Sequence, residues 1–260
     1  MYHQQMEIPI KLPSHCQYLL FIPHTNHGPV MRVIGRDCYV DFNITTAKLG
    51  NIYYISPGFV SFQYITKQQC SIFVDDNKLN KIYNHGGILI NKKYSKSIQL
   101  FNIDFNYSTV VYNFSECFDR IFYVGNKFYA TQHNIPYLHT FDVMTKEYFN
   151  IRFECGFITY MDEKYILTNR GRTIYCYNST DLCMMWNKEY NNPCMSSCCY
   201  NNDILYVKDE VNIYKINVVN EQCEKLNIDV RFCYNVYVGP DFIFMVNDQK
   251  EVIKFIRSKS

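Results

Sequence analysis

The 260-residue chain carries 26 Lys and Arg against 24 Asp and Glu, a formal net charge of +2, and only 19% of its residues are charged while 48% are hydrophobic. That balance excludes a disordered polyelectrolyte, which combines low hydrophobicity with high net charge, and it lacks the basic stripe of a nucleic-acid binder. Tyr (24) and Phe (19) outnumber Gly (10), a composition suited to pleated, half-buried surfaces in one all-β domain.

Residues 1–5 are polar, and the first apolar run, 18–22, is strand-sized. A signal peptide needs a basic start and about 7–15 apolar residues, and a membrane span roughly 18. The expected location is the cytosol or nucleus, with no membrane partner. The 12 cysteines are then expected to be reduced, small buried hydrophobes, as in Tyr175-Cys176-Tyr177 and Leu182-Cys183-Met184. The sequons at Asn43, Asn106, Asn113 and Asn178 are read as chance matches in an Asn-rich chain.

In the first third, candidate strands are 8–10, 18–22, 30–34, 38–42, 52–55, 59–62 and 70–74. They supply two blades of irregular outline over residues 1–77. From residue 78 onward a four-beat cycle of short apolar runs separated by polar turns emerges. The first beat is 120–124, 157–161, 198–200 and 234–238; the second is 127–130, 164–167, 204–207 and 242–245. The third is 137–141, 173–177, 212–216 and 252–256, and the fourth 148–151, 182–186 and 223–226. Phe101, Phe141, Tyr177, Ile216 and Ile256 close successive third beats at intervals near 40 residues. Four strands in a unit of about 40 residues form one propeller blade. The whole length divided by a period of about 38 predicts seven blades, with six as the alternative. The last cycle lacks a fourth strand, which residues 7–12 are expected to supply, closing the ring.

The segments Phe141-Asp142-Val143-Met144-Thr145 and Tyr177-Asn178-Ser179-Thr180-Asp181 resemble the aromatic-Asp-x-x-Thr turn of the β-propeller superfamily of WD40, kelch and quinoprotein-like repeats. Trp186 stands where kelch and quinoprotein-like blades often carry Trp. The chain departs from that pattern in lacking the Gly-His and Trp-Asp pairs of WD40 blades, and Gly86-Gly87 precedes a strand instead of following one as in kelch. The resemblance covers residues 78–260 and implies a single propeller domain over 1–260, without selecting one family.

Candidate chemistry is sparse. His3, Cys16, His24 and His27 do not have paired zinc-ligand spacing. Cys194, Cys198 and Cys199 match neither a zinc knuckle nor a redox C-x-x-C, and no cation adjoins them to lower a thiol pKa. Lys92, Lys93 and Lys96 read as a solvated turn, as do Ser56-Pro57-Gly58 and Gly86-Gly87; Asp75-Asp76 and Asp209-Glu210 are turn acids. Trp186 reads as packing between blades before a binding anchor. Nucleophile and phosphate-loop motifs are absent from the sequence. No catalytic, cofactor or metal residue is therefore assigned, and no binding residue is ranked. The expected function is a non-enzymatic scaffold that binds protein partners, with rim loops such as Arg170-Gly171-Arg172 and 132–136 as contact surface. The alternatives are an enzyme or small-ligand binder at the channel mouth and, with nucleic acid disfavoured, an RNA-contacting subunit. The Asn, Ile, Lys and Tyr bias suggests an AT-rich genome, as in intracellular parasites and large DNA viruses.

Overall fold

The computed structural model describes residues 2–9, 16–55, 59–92, 95–132, 135–153, 157–193, 196–200, 204–228, 230, 233–239, 241–249 and 251–257. In chain order, β1 (Tyr2–Pro9) precedes a first sheet of β2 (Tyr18–Ile22), β3 (Val30–Ile34), β4 (Cys38–Asn43) and β5 (Lys48–Tyr54). The second contains β6 (Phe59–Ile65), β7 (Gly87–Lys92), β8 (Ser97–Asn102) and β9 (Ser108–Asn113), with α1 (Lys67–Cys70) and α2 (Asp76–Lys81) between β6 and β7. The third is β10 (Arg120–Val124), β11 (Lys127–Thr131), β12 (Tyr137–Asp142) and β13 (Tyr148–Arg152). The fourth is β14 (Phe157–Met161), β15 (Tyr165–Arg170), β16 (Thr173–Asn178) and β17 (Met184–Glu189). The fifth is β18 (Ser196–Tyr200), β19 (Ile204–Lys208), β20 (Ile213–Asn217) and β21 (Cys223–Leu226). The sixth joins β22 (Cys233–Val238), β23 (Phe242–Asn247) and β24 (Glu251–Arg257) to β1, which runs antiparallel to β24 from Tyr2↔Arg257 to Pro9↔Glu251. The fourth strand of this sheet thus comes from Tyr2–Pro9 instead of the expected 7–12, and residues 10–12 lie outside the described residues.

Six four-stranded antiparallel blades among the described residues define a β-propeller, correcting the expected seven. Two compact units divide the chain, Leu12–Ile151 and Met1–Lys11 with Arg152–Ser260. In the first unit, β2, β6 and β10 lie side by side in succession; in the second, β14, β18 and β22 do so.

Burial follows position within a blade. Second strands are enclosed on both faces: all five residues of β3 and the first five of β7 and β23 are buried. Fourth strands are largely exposed, as along β5, β13 and β17. Each core belongs to two blades. Leu20, Ile22 and Val30 of the first sheet pack with Ile88 and Ile90 of the second, whose Leu89, Ile98 and Leu100 pack with Ile121, Phe128 and Phe141 of the third.

The turn after the third strand repeats in four sheets. Asn43 Oδ1 accepts the amides of Thr45 and Thr46 at 3.0 and 2.8 Å, and Asp142 Oδ1 those of Met144 and Thr145 at 2.9 and 3.0 Å. Asn178 Oδ1 accepts Thr180 N at 2.8 Å and Asn217 Oδ1 accepts Val219 N at 2.9 Å. Asn and Asp suit this role because their short acceptors reach the backbone two or three residues ahead. Four positions beyond the Asx residue, Ala47, Lys146, Leu182 and Glu221 take φ values of 56 to 63°. At Leu182 this left-handed step ends the turn, so the fourth strand starts at Met184, and Cys183 is exposed where burial was expected.

The segment 70–74, expected to be a strand, belongs to the helical insert. Thr66 and Gln69 form a capping box that starts α1, and Asp75 caps α2 by accepting Lys78 N at 3.0 Å. Ile72, Phe73, Val74, Leu79 and Ile82 turn inward onto the core containing buried Cys70 and Tyr83. Tyr83 fixes the insert to β8 by donating its hydroxyl to Leu100 O at 3.1 Å. The chain returns to the sheet at Gly86, whose φ is +90° and where a Cβ would overlap the Ile65 carbonyl. Gly28 has the same backbone angle, +91°, with nothing within 4 Å of its Cβ position. Chemical denaturation is expected to show Gly86→Ala destabilising by about 2 kcal/mol and Gly28→Ala by less, the difference reporting the overlap.

In the fifth sheet Asp209 is fully buried and organises the turn from β19 to β20. Its Oδ1 accepts Val211 N at 2.9 Å and Asn212 N at 2.7 Å, and its Oδ2 accepts Asn192 Nδ2 and Tyr214 Oη, both at 3.3 Å. Burial opposes the charge, but these donors outweigh it and hold the carboxyl below the usual aspartate range. A carboxylate favoured in the folded state adds stability above its unfolded pKa of about 3.9, and that stability is lost as pH falls through the lower folded pKa. Urea melts from pH 6 to pH 2 are therefore expected to show wild type well above Asp209→Asn at pH 6, with the margin closing in acid.

Candidate functional site: a polar cleft beside the helical insert

In the Leu12–Ile151 unit, three segments meet around a cleft of about 470 Å3. The β2–β3 loop contributes Thr25 and Asn26; the exit from α2 contributes Lys81, Ile82, Asn84 and His85; the β8–β9 turn contributes residues from Asn102 to Tyr107. The loop and the insert are joined where His85 Nε2 meets Asn26 Oδ1 at 2.7 Å. Thr25 Oγ1 donates to Gly28 O at 2.6 Å, which shapes the loop, and Asn102 Nδ2 donates to Asn106 Oδ1 at 2.7 Å, which shapes the turn.

Beneath the turn lies Arg32, 1% exposed on β3. Its Nε and Nη2 donate to the two carboxylate oxygens of Asp41, both at 2.7 Å, and its Nη1 donates to the carbonyl of Ile103 in the β8–β9 turn. The guanidinium carbon stands 4.0 Å from the centroid of the Tyr39 ring and 5.0 Å from that of Phe105. Burial pushes the Tyr39 hydroxyl up to about 12, against the lowering effect of Arg32. The ion pair thus ties the first blade to the turn that forms one wall of the cleft. Asp41→Ala would strand a buried cation and is expected to cost about 3 kcal/mol in urea unfolding, whereas Arg32→Met with Asp41→Leu is expected to recover at least half of that loss.

The residues singled out from sequence are scattered. Cys16 is buried, with Sγ donating to Tyr18 O at 3.4 Å, whereas His24 and His27 are exposed on the β2–β3 loop; the His3 side chain lies outside the described residues. The same holds for Cys194 and for the side chains of Cys198 and Cys199, whose backbone forms β18. Trp186 is 7% exposed and packs with Tyr165, Leu167 and Ile174 of its own blade and Leu205, Val207 and Ile216 of the next. Arg170 and Arg172 are exposed at the β15–β16 hairpin; Gln132, on the other rim segment, donates to Glu116 and to Cys117 O, both at 2.9 Å. Lys92 ends β7, and the partner lysine Lys93 lies outside the described residues, as do Ser56, Pro57 and Gly58. No sequence signal named the cleft, although the His24–His27 and Gly86–Gly87 segments flank it.

No family model and no curated protein sequence matches the chain. Solved structures do. Virginiamycin B lyase from Staphylococcus aureus aligns with a TM-score of 0.63 at 10% identity over 99% of this chain and 100% of that one. The Neurospora crassa Pan2 WD40 domain aligns with a TM-score of 0.61 at 8% identity over 100% and 96%. BBS1N, solved in complex with ARL6DN, aligns with a TM-score of 0.57 at 8% identity over 93% and 79%. At these identities the likeness defines the fold, a β-propeller.

Proposed function

We propose that the chain is a non-enzymatic, intracellular protein-binding scaffold, acting as a subunit of a larger complex, with the cleft as its docking face. The observation that carries this reading is the insert. It interrupts a regular blade with α1 and α2 and builds a wall of the cleft from Lys81 to His85. Insertions in repeat folds map to loops on one face, often the binding face, and loops on a rigid scaffold are where recognition concentrates. Buried Arg32, paired with half-buried Asp41, supplies that rigidity to the β8–β9 turn that forms another wall. The BBS1N structure, a β-propeller solved in complex with ARL6DN, is consistent with this use of the fold. In the same reading, β1 completes the last blade and closes the ring.

Tagged protein purified from its native cell is expected to bring down one protein in stoichiometric amount and to migrate with it as one species on size exclusion. Migration as a lone monomer, with turnover of a small substrate, would overturn the scaffold reading.

A further inference from the structure

The cleft contains side-chain amides whose hydrogen-bonding capacity is only partly used. Asn26 Oδ1 is engaged by His85 and Asn106 Oδ1 by Asn102, which leaves the Nδ2 groups of Asn26 and Asn106 as donors. These two donors, the Asn84 amide, the Lys81 ammonium and the Asp104 carboxylate make no further hydrogen bond or ion pair among the described residues. Lys81, Asn84 and Asp104 are exposed.

Amide side chains elsewhere in this unit bind main chain. Gln63 forms a reciprocal pair with Tyr123, Nε2 to the carbonyl at 2.6 Å and the amide to Oε1 at 2.8 Å, as a neighbouring strand would. Asn43 Nδ2 donates to His27 O at 2.7 Å, and Asn91 Nδ2 to Phe118 O at 3.2 Å. A side-chain amide presents the same donor and acceptor as a peptide group, so the unused amides of the cleft offer this pairing to an outside chain. Its volume, about 470 Å3, lies within the roughly 300–1,000 Å3 of ligand sites. Tyr107, half-buried in the cleft wall, packs edge-on against Tyr83 with ring centroids 6.1 Å apart.

We propose that the cleft binds an extended polypeptide segment of the partner, with an acidic side chain against Lys81 and a basic side chain against Asp104. This rests on the scaffold reading and specifies what the docking face recognises. The charges fix the direction of the bound segment, and the amides hold its main chain.

The probe is an immobilised array of capped octapeptides with one Glu and one Arg at every order and spacing in a Ser/Ala background, run beside an oligosaccharide array. Wild type is expected to retain peptides of one charge order. Lys81→Glu and Asp104→Arg are each expected to weaken them at least tenfold, and the double variant to prefer the opposite order. Retention independent of charge order in both proteins, or confined to the oligosaccharides, would overturn the proposal. Co-purification with the double variant separates the two readings. A partner captured equally by wild type and the double variant removes the cleft and leaves the scaffold; no partner with either removes both.

Discussion

A sheet that is apolar on both faces has to be covered twice, and that requirement governs this chain. The strands β3, β7 and β23 carry side chains to both sides of their blades and bury nearly all of them. No single blade can enclose such a strand, so each hydrophobic cluster is assembled from two neighbours, as where Leu205 and Val207 of the fifth sheet meet Ile174 and Trp186 of the fourth. Burial worth about 25 cal/mol per Å2 of apolar surface is thus shared across blade boundaries. The same logic leaves fourth strands outside, where Tyr54 is 76% exposed and Met184 53%.

Polar groups enter this arrangement where they set geometry. Arg32 is carried into the interior and is tolerated there because a bidentate carboxylate, a carbonyl and two aromatic faces replace its water. Gln63 fills the role of a backbone partner between β6 and β10. Both operate in the unit that contains the cleft, so the walls of the cleft are set by buried polar contacts as well as by apolar packing.

The blades from residue 120 onward were legible because their signal is local. A strand pair, a tight turn and an Asx residue recur within a fixed length, and Phe141-Asp142 and Tyr177-Asn178 display the turn openly. The same turn is present at Phe42-Asn43, in the third judged irregular, and gives the first blade the geometry of the others. It was hidden because the insert places Phe42 and Phe101 far outside the period, and the extra length also produced the expectation of a seventh blade. The insert itself was misread because 70–74 is apolar and short, which fits strand and buried helix turn alike; Thr66-x-x-Gln69 was the signal that distinguishes them. The cleft was illegible for another reason. Thr25, Lys81 and Asp104 are ordinary turn residues in sequence, and only the packing of two blades brings them to one place.

The two strands flanking the insert pair in register right up to its mouth, Ile65 with Gly87. To the hairpin, the whole excursion is therefore one long loop. Closing a loop costs about 0.6 kcal/mol more for each doubling of its length, so some twenty residues in place of two add only about 2 kcal/mol. The side chains that the insert buries, from Cys70 to Tyr83, offset that cost. The mouth of this hairpin is thus a graft point: exposed positions of the insert such as Lys81 and Asn84 are free to change in kind and charge under selection, while Cys70, Phe73 and Tyr83 keep the insert seated in the core between the blades.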